Sequence, residues 1–223
     1  MGGLGQIVVW EKVTLVFLML TLLFGSASVV WPNNSYAQDQ PPSRMVNINW
    51  RKVIEENTRL DTLESRLLRG IASANLGQLP IALKELEIAG EATYSDQVAE
   101  FVLDKLRRLR RSPNDLLLLN CAAFGSYAFG DLEQSTMYFE DIIRLDPNSV
   151  WARNFCAIVY GQTGELDRAL YHLEHSLKLD TENQYTHLLL SAVYKEKQKF
   201  LLAIYHYMQA PQAVSELKRY GIF

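Results

Sequence analysis

Histidine residues are the first place in this chain to look for metal chemistry. His172 and His175 are three residues apart, which puts them one turn apart on a helix, and His206 follows 34 residues after His172. Two histidines on one helix face can hold a transition metal when further ligands complete the set. No cysteine or acidic residue has the spacing that would complete a recognisable site, so the sequence predicts no metal and no cofactor.

Cysteine chemistry is limited to Cys121 and Cys156, and neither belongs to a Cys-x-x-Cys pair. Two cysteines do not form a disulfide framework. Two interpretations remain open for them. Both are small core residues, or they form one bridge in an oxidising compartment, which requires Cα atoms within about 7 Å of each other.

Catalytic and nucleic-acid-binding patterns are absent from the sequence. Serine, histidine and acidic residues are scattered without a converging nucleophile–base motif, so we expect no enzyme, no catalytic residue and no small-molecule substrate. The net charge of −3 gives no general reason to expect nucleic acid as a partner. The basic stretch Lys105–Arg111 fits contact with anionic lipid or an acidic partner, or simple stabilisation of a helix C-terminus. The second interpretation is favoured because the whole chain is slightly acidic.

The elements that would position these side chains recur every 34 residues. Gly130 and Gly164 are 34 residues apart, and so are Asp146 and Asp180. Over three copies, large positions stay mostly large and small positions stay small. A size pattern held at one fixed period predicts repeated supersecondary units.

Each unit has the pattern of two helices joined by a turn. In the middle unit, apolar residues at three- and four-residue spacing run through residues 150–162 and again through residues 166–177. Gly164 lies between them and can adopt the left-handed conformation that such a turn needs. A single helical pair would leave apolar surface bare, and stacked pairs cover it. The sequence therefore predicts an all-α helical-hairpin solenoid.

The size pattern at Ala157, Tyr160, Gly164, Ala169 and Leu173 resembles that of the tetratricopeptide repeat (TPR) family, which has a 34-residue period. The resemblance implies a TPR-like superhelix over residues 57–223. Its units would span about 63–96, 116–149, 150–183 and 184–217, with an extra helix at 96–111 that stands alone or pairs with the helix before it.

The last unit departs from the TPR pattern. Gln198 stands where the turn glycine is expected, and Pro211 should shorten the second helix of this unit. We expect a short capping helix near residues 212–220, since a solenoid must cover its last apolar face.

The N-terminal region contains an apolar segment with two open interpretations. Residues 13–24 carry no charge, which fits the core of a signal peptide cleaved after Ala37 or earlier, near Ala27. Counted through Trp31, the segment has a length close to the roughly 20 residues of an uncleaved membrane anchor. Either interpretation places the chain outside the cytoplasm, exported to a periplasm or lumen or anchored to a membrane. Residues 38–56 would then be a linker and leading segment.

The TPR resemblance also implies a concave groove, lined by the first helix of each pair, that binds a peptide or helix of a partner protein. Asparagine can hold a partner's backbone, and tryptophan and tyrosine are frequent binding hot spots. The implied groove residues are Leu117, Asn120, Phe124, Tyr127, Trp151, Asn154, Ile158, Gln162, Tyr185 and Leu188, together with Lys195.

The function expected from these features is that of an exported or membrane-anchored TPR adaptor. It would bind a partner protein through the groove during assembly of an envelope or membrane complex. The alternative is a permanent structural subunit of a larger membrane-associated assembly.

Overall fold

The computed structural model describes residues 48–89 and 95–220, so the apolar N-terminal segment and its cleavage sites lie outside the described residues. This part of the chain forms eleven helices and no strand, which confirms the all-α prediction there. The helices are α1 (Trp50–Asn57), α2 (Leu63–Asn75), α3 (Leu79–Ala89), α4 (Ser95–Leu109), α5 (Leu116–Ala128), α6 (Leu132–Leu145), α7 (Val150–Gln162), α8 (Leu166–Leu179), α9 (Gln184–Glu196), α10 (Phe200–Met208) and α11 (Pro211–Arg219).

Polar residues in the turns set where most helices begin. Asp115, Asp131, Ser149 and Asn183 each accept a hydrogen bond from the backbone N–H three residues later, at the starts of α5, α6, α7 and α9. Such a cap satisfies one of the four N–H groups that a helix start leaves unpaired. Thr62 forms a reciprocal capping box at the start of α2. The polar turns between apolar segments therefore define the start of these helices.

The turn inside each of the last three hairpins has a left-handed residue at the same repeat position. Gly130 has φ 77°, Gly164 has φ 80° and Gln198 has φ 59°. Glycine adopts this conformation without steric cost, whereas glutamine does not. The repeat geometry is thus kept at Gln198 although the residue type is unfavourable.

Most helices pack against the next helix in the chain. The hairpins are α2–α3, α5–α6, α7–α8 and α9–α10, and they stack because α6 also packs against α7 and α8 against α9. The extra helix α4 packs against α5 and α2, α1 packs against α2, and α11 packs against α9. This arrangement is a stack of helical hairpins, as the repeat period predicts.

Pro211 shortens the second helix of the last hairpin. Helix α8 ends at Leu179, and the equivalent position one 34-residue period later is residue 213, but α10 already ends at Met208. Pro211 instead occupies the first turn of α11, where its missing N–H costs nothing. The chain therefore turns back onto α9 and forms the expected short C-terminal helix.

The core runs through the stack without interruption. Phe124, Phe139 and Phe155 meet at ring-centroid distances of 4.9–5.8 Å, in the middle of the core. A second, small apolar cluster joins α9 to α11 and also contacts Leu83 of α3. The first hairpin therefore reaches across to the C-terminal end of the stack. Among the described helices, none is both long and apolar enough to pass through a bilayer.

Candidate functional site

The inner face of the stack is the side formed by α5, α7 and α9, the first helices of three successive hairpins. It holds the ten predicted groove residues, and none of them is fully exposed. Leu117, Trp151, Gln162 and Tyr185 are half-buried, and the other six are buried. The chain itself uses most of the contact surface of these side chains.

The two equivalent asparagines form hydrogen bonds inside the protein. Asn120 donates from Nδ2 to the Leu116 carbonyl at 2.8 Å and accepts from Asn75 of α2 at 2.9 Å. Asn154 has no exposed surface, and its Nδ2 donates to Thr186 Oγ1 of α9 at 2.9 Å. Each amide therefore connects a helix of the inner face to a neighbouring helix.

Aromatic groove residues pack against one another and against the core. Trp151 lies 5.7 Å from Tyr185 and 5.9 Å from Phe155, measured between ring centroids. The Tyr185 hydroxyl donates to Glu216 of α11, and Gln162 donates to the Tyr127 hydroxyl of the preceding hairpin. Burial is the main reason why the pKa values of both tyrosines lie above the ordinary tyrosine value.

The first hairpin covers part of the inner face. A Cβ atom added at Gly77, in the α2–α3 turn, would lie 2.5 Å from Trp151 Cζ2. The backbone of this turn therefore rests directly on the indole ring. At the other end, the Gln184 side chain accepts hydrogen bonds from the backbone of Gln212 and Ala213 and so caps α11. A partner bound at the predicted groove would have to displace the α2–α3 turn.

A second group of polar side chains lies between hairpins. Glu140 of α6, Cys156 of α7 and His172 of α8 bring their ligand-type atoms within 4.8 Å of one another. His172 Nε2 is 3.1 Å from Glu140 Oε1 and 3.9 Å from Cys156 Sγ, and Tyr160 donates to the same carboxylate at 2.9 Å. A thiolate, an imidazole and a carboxylate together are a ligand set that suits zinc.

The bonding around His172 does not fit metal binding. Its Nδ1 is buried without a hydrogen-bond partner. If Nε2 bound a metal, Nδ1 would carry the proton and become an unsatisfied buried donor, which costs about 1–3 kcal/mol. Burial, and then the nearby Glu140, raise the pKa of the Cys156 thiol, which disfavours the thiolate that a metal or a nucleophile requires.

The following hairpin repeats the Glu–Tyr–His contact without a cysteine. Tyr194 donates to Glu174 at 3.3 Å and stacks on His206 at 5.4 Å, as Tyr160 stacks on His172 at 5.5 Å. Recurrence at the 34-residue period identifies this set as a packing contact between hairpins. Burial alone would raise the pKa of Glu140, but the hydrogen bonds from His172 and Tyr160 outweigh it and lower that pKa.

The remaining cysteine and histidine residues have structural contacts. Cys121 and Cys156 are free and buried, and burial raises the pKa of Cys121 to about 12. His187 Nε2 lies 3.2 Å from the Thr181 carbonyl and must donate to it, so its Nδ1 accepts from His206 Nδ1 at 2.9 Å. This pair joins α9 to α10.

The basic stretch at the end of α4 divides between core and surface. Lys105 is buried and pairs with Glu64 at 2.6 Å, whereas the four arginines after it are exposed. Arg107 and Arg108 lie in the last turn of α4, where cations stabilise the exposed carbonyl groups.

Helix α10 carries the largest concentration of exposed apolar side chains in the described part of the chain. Its nine residues include no Asp, Glu, Lys or Arg, and only Ala203 and His206 are buried. Leu201 is 86% exposed and Met208 is 71% exposed. The exposed apolar side chains, here called the α10 patch, are Phe200, Leu201, Leu202, Ile204, Tyr205, Tyr207 and Met208.

The 34-residue register shows that this composition is specific to α10. At the positions of Leu201, Leu202 and Met208, α8 carries the polar residues Asp167, Arg168 and Glu174, and α6 carries Glu133, Gln134 and Glu140. Phe200, Ile204 and Tyr207 are exposed for a different reason. Their equivalents on α8, Leu166, Leu170 and Leu173, are partly or fully buried in the stack. On α10 these positions stay exposed because α11 packs against α9 and does not continue the stack over α10.

Sequence reasoning identified α10 only as a shortened helix. The sequence nevertheless contained the signal for the patch. The positions of Leu201, Leu202 and Met208 are polar in the two preceding units and apolar in the last one.

Comparison with known proteins leaves the family unassigned. No protein-family model matches the chain, and no curated protein matches it either. Among solved structures, "MamA RS-1 ArsTM double mutant" is 18% identical with a TM-score of 0.49, and the match covers 77% of this chain and 84% of that one. "MamA MSR-1 C2" is 14% identical with a TM-score of 0.49, covering 77% of this chain and 96% of that one.

Proposed function

We propose that this chain is a protein-interaction module of the TPR type, an adaptor without enzymatic activity that is exported or anchored to a membrane. The α10 patch carries this proposal. Soluble proteins rarely expose a contiguous apolar patch of this kind unless it meets a partner. The hairpin stack supports it because α9 packs against α10 and places it at one end of the stack.

The proposed contact surface is α10 and not the inner face. Six of the ten predicted groove residues are buried, and the α2–α3 turn lies on Trp151. The groove stays a prediction that requires the first hairpin to move. The α10 patch needs no such movement, because its side chains are already in solvent.

Affinity capture from the native membrane fraction tests this proposal. The variant Leu201→Asp/Met208→Glu places on α10 the residue types that Asp167 and Glu174 provide on α8, so the fold should be retained. We expect it to lose the captured partner while its circular dichroism spectrum stays unchanged. Met137→Glu on α6 is the matched control, since Met137 is the exposed equivalent of Tyr205. An unchanged partner set with the α10 variant would rule out the patch.

The proposed location has its own test. Mass spectrometry of the mature N-terminus distinguishes cleavage after Ala37 from an anchor that is retained through Trp31. A retained N-terminus on protein recovered from the soluble cytoplasmic fraction would contradict both export and anchoring.

A further inference from the structure

We infer that the partner on α10 is a second copy of this chain, bound in a twofold-symmetric dimer in which α10 packs against its symmetry mate. The inference rests on the proposed function, because it names the occupant of the same patch. Four properties of the patch support it: its charge, its shape, its area and its place at the end of the stack.

Charge permits self-association. In a twofold contact each surface meets itself, so charged residues near the axis would face like charges. Helix α10 has no charged residue along its whole length. A helix that lies in a bilayer interface typically carries lysine and arginine on its polar face, and α10 has none there. The composition therefore fits a protein surface better than a lipid surface.

Shape favours a helix as the occupant. Phe200, Ile204 and Tyr207 lie at positions whose equivalents in α8 are covered within the hairpin stack. A helix packed against this side would complete that environment. In a twofold dimer this helix is α10 of the second copy, and the contact buries Phe200, Ile204 and Tyr207 of both copies.

The area of the patch matches a dimer interface. If each large side chain offers roughly 150–250 Å², the exposed fractions of the seven patch residues amount to roughly 600–1,000 Å². A standard protein interface buries about 800 Å² on each partner. One reciprocal contact through α10 therefore supplies the area that a stable dimer needs.

The residue composition at the two ends of the stack favours a closed dimer over an open chain of copies. At the other end, α1 exposes the charged residues Arg51, Lys52, Glu55 and Glu56. An apolar α10 patch packed on that surface would take these charged side chains out of water against apolar groups, which is unfavourable. A twofold contact covers the bare ends of both copies and leaves no free apolar end, so association stops at two.

Site-specific photo-crosslinking of the full chain tests the inference. The photoreactive residue p-benzoylphenylalanine replaces Tyr205 in cells that express two differently tagged copies, and replaces Tyr171 as the matched control. Tyr171 is the equivalent residue on α8 and is equally exposed at 55%. We expect a crosslinked species that carries both tags at twice the 25.5 kDa chain mass from position 205, and none from position 171.

The variant Leu201→Asp/Met208→Glu should reduce this mixed-tag species at least tenfold while the circular dichroism spectrum stays unchanged, which shows that the fold is retained. Adducts at position 205 with other proteins alone would overturn the dimer and leave the proposed function standing. Lipid adducts, adducts within one chain to residues 13–24, or no adduct would overturn both. Equal mixed-tag adducts from positions 171 and 205 would also overturn the dimer through α10.

Discussion

At the scale of single residues, the repeat allows equivalent positions in different units to be compared. Gly164 and Gln198 adopt the same left-handed turn, and nothing lies within 4 Å of a Cβ added at Gly164. The difference between the two positions is therefore conformational strain and not packing. Glutamine at φ 59° bears a cost that glycine avoids.

Gln198→Gly should stabilise the protein by up to about 1 kcal/mol, because glycine removes the strain of a left-handed side chain. The measurement is the free energy of unfolding in urea. Gly164→Gln is the reciprocal control and should destabilise by about 1 kcal/mol. If Gln198→Gly lowers the stability, the left-handed assignment at this turn is wrong.

The His187–His206 pair should make stability depend on pH. Burial, and then the neighbouring His187, lower the pKa of His206 to about 4, so the folded state favours the neutral ring. The unfolded chain binds this proton near the ordinary value of about 6.5. Stability from this group is therefore complete above about pH 6.5 and declines as the pH falls towards 4, by up to about 3 kcal/mol.

Thermal unfolding between pH 7.5 and 5 measures this effect. His206→Asn should be less stable at pH 7.5 and should show a smaller loss on acidification. His175→Asn, on an exposed part of α8, should keep the wild-type slope. If the stability of His206→Asn falls with pH as steeply as that of the wild type, another group causes the pH dependence.

At the scale of helices, buried amides connect one hairpin to the next. Asn154 of α7 bonds Thr186 of α9, and Thr186 also lies 3.2 Å from Ser176 Oγ of α8. Three helices therefore share one polar contact inside an apolar interface. Removing one partner of such a buried hydrogen bond destabilises the protein by more than the intact bond stabilises it.

Asn154→Ala should destabilise the protein by about 1–3 kcal/mol, since it removes one of the buried hydrogen-bond partners of Thr186. Denaturant unfolding measures the change, with the exposed Asn148→Ala expected within about 0.5 kcal/mol of wild type. A double-mutant cycle with Thr186→Ala isolates the pair. Additive effects in that cycle would show that Asn154 does not act through Thr186.

At the scale of the whole molecule, the first hairpin closes over the inner face and contacts both α7 and the C-terminal cluster. Gly77 combines φ 73° with direct backbone contact to Trp151, whereas Gly164 has a similar φ and free space. The two glycines therefore separate the cost of backbone strain from the cost of breaking the contact between the hairpin and α7.

Gly77→Ala should cost at least about 1 kcal/mol more than Gly164→Ala, because only the first adds a steric clash to the same left-handed strain. The free energy of unfolding measures both. Hydrogen exchange should increase in α2 and α3 for Gly77→Ala and stay unchanged there for Gly164→Ala. Equal costs would mean that the α2–α3 turn does not rest on Trp151.

Much of the fold could be predicted from the sequence because local chemistry repeats. The turn glycines, the polar N-caps and the early stop at Pro211 act within a few residues, so helix order and hairpin pairing follow from them. The predicted groove residues were chosen at equivalent positions of the first helices for the same reason. Their accessibility could not be predicted, since Asn120 meets Asn75 from 45 residues away and Trp151 meets Gly77 from 74 residues away.

The sequence by itself determined an all-helical chain of 34-residue hairpins with a divergent last unit, because period, turn type and capping are encoded by neighbouring residues. Only the tertiary structure decided which faces remain free. It brought the first hairpin onto the inner face, joined Glu140, Cys156 and His172 from three helices, and left α10 bare. The physical reason is that burial depends on how the hairpins curve towards each other, and that curvature is the sum of many contacts between residues distant in the chain.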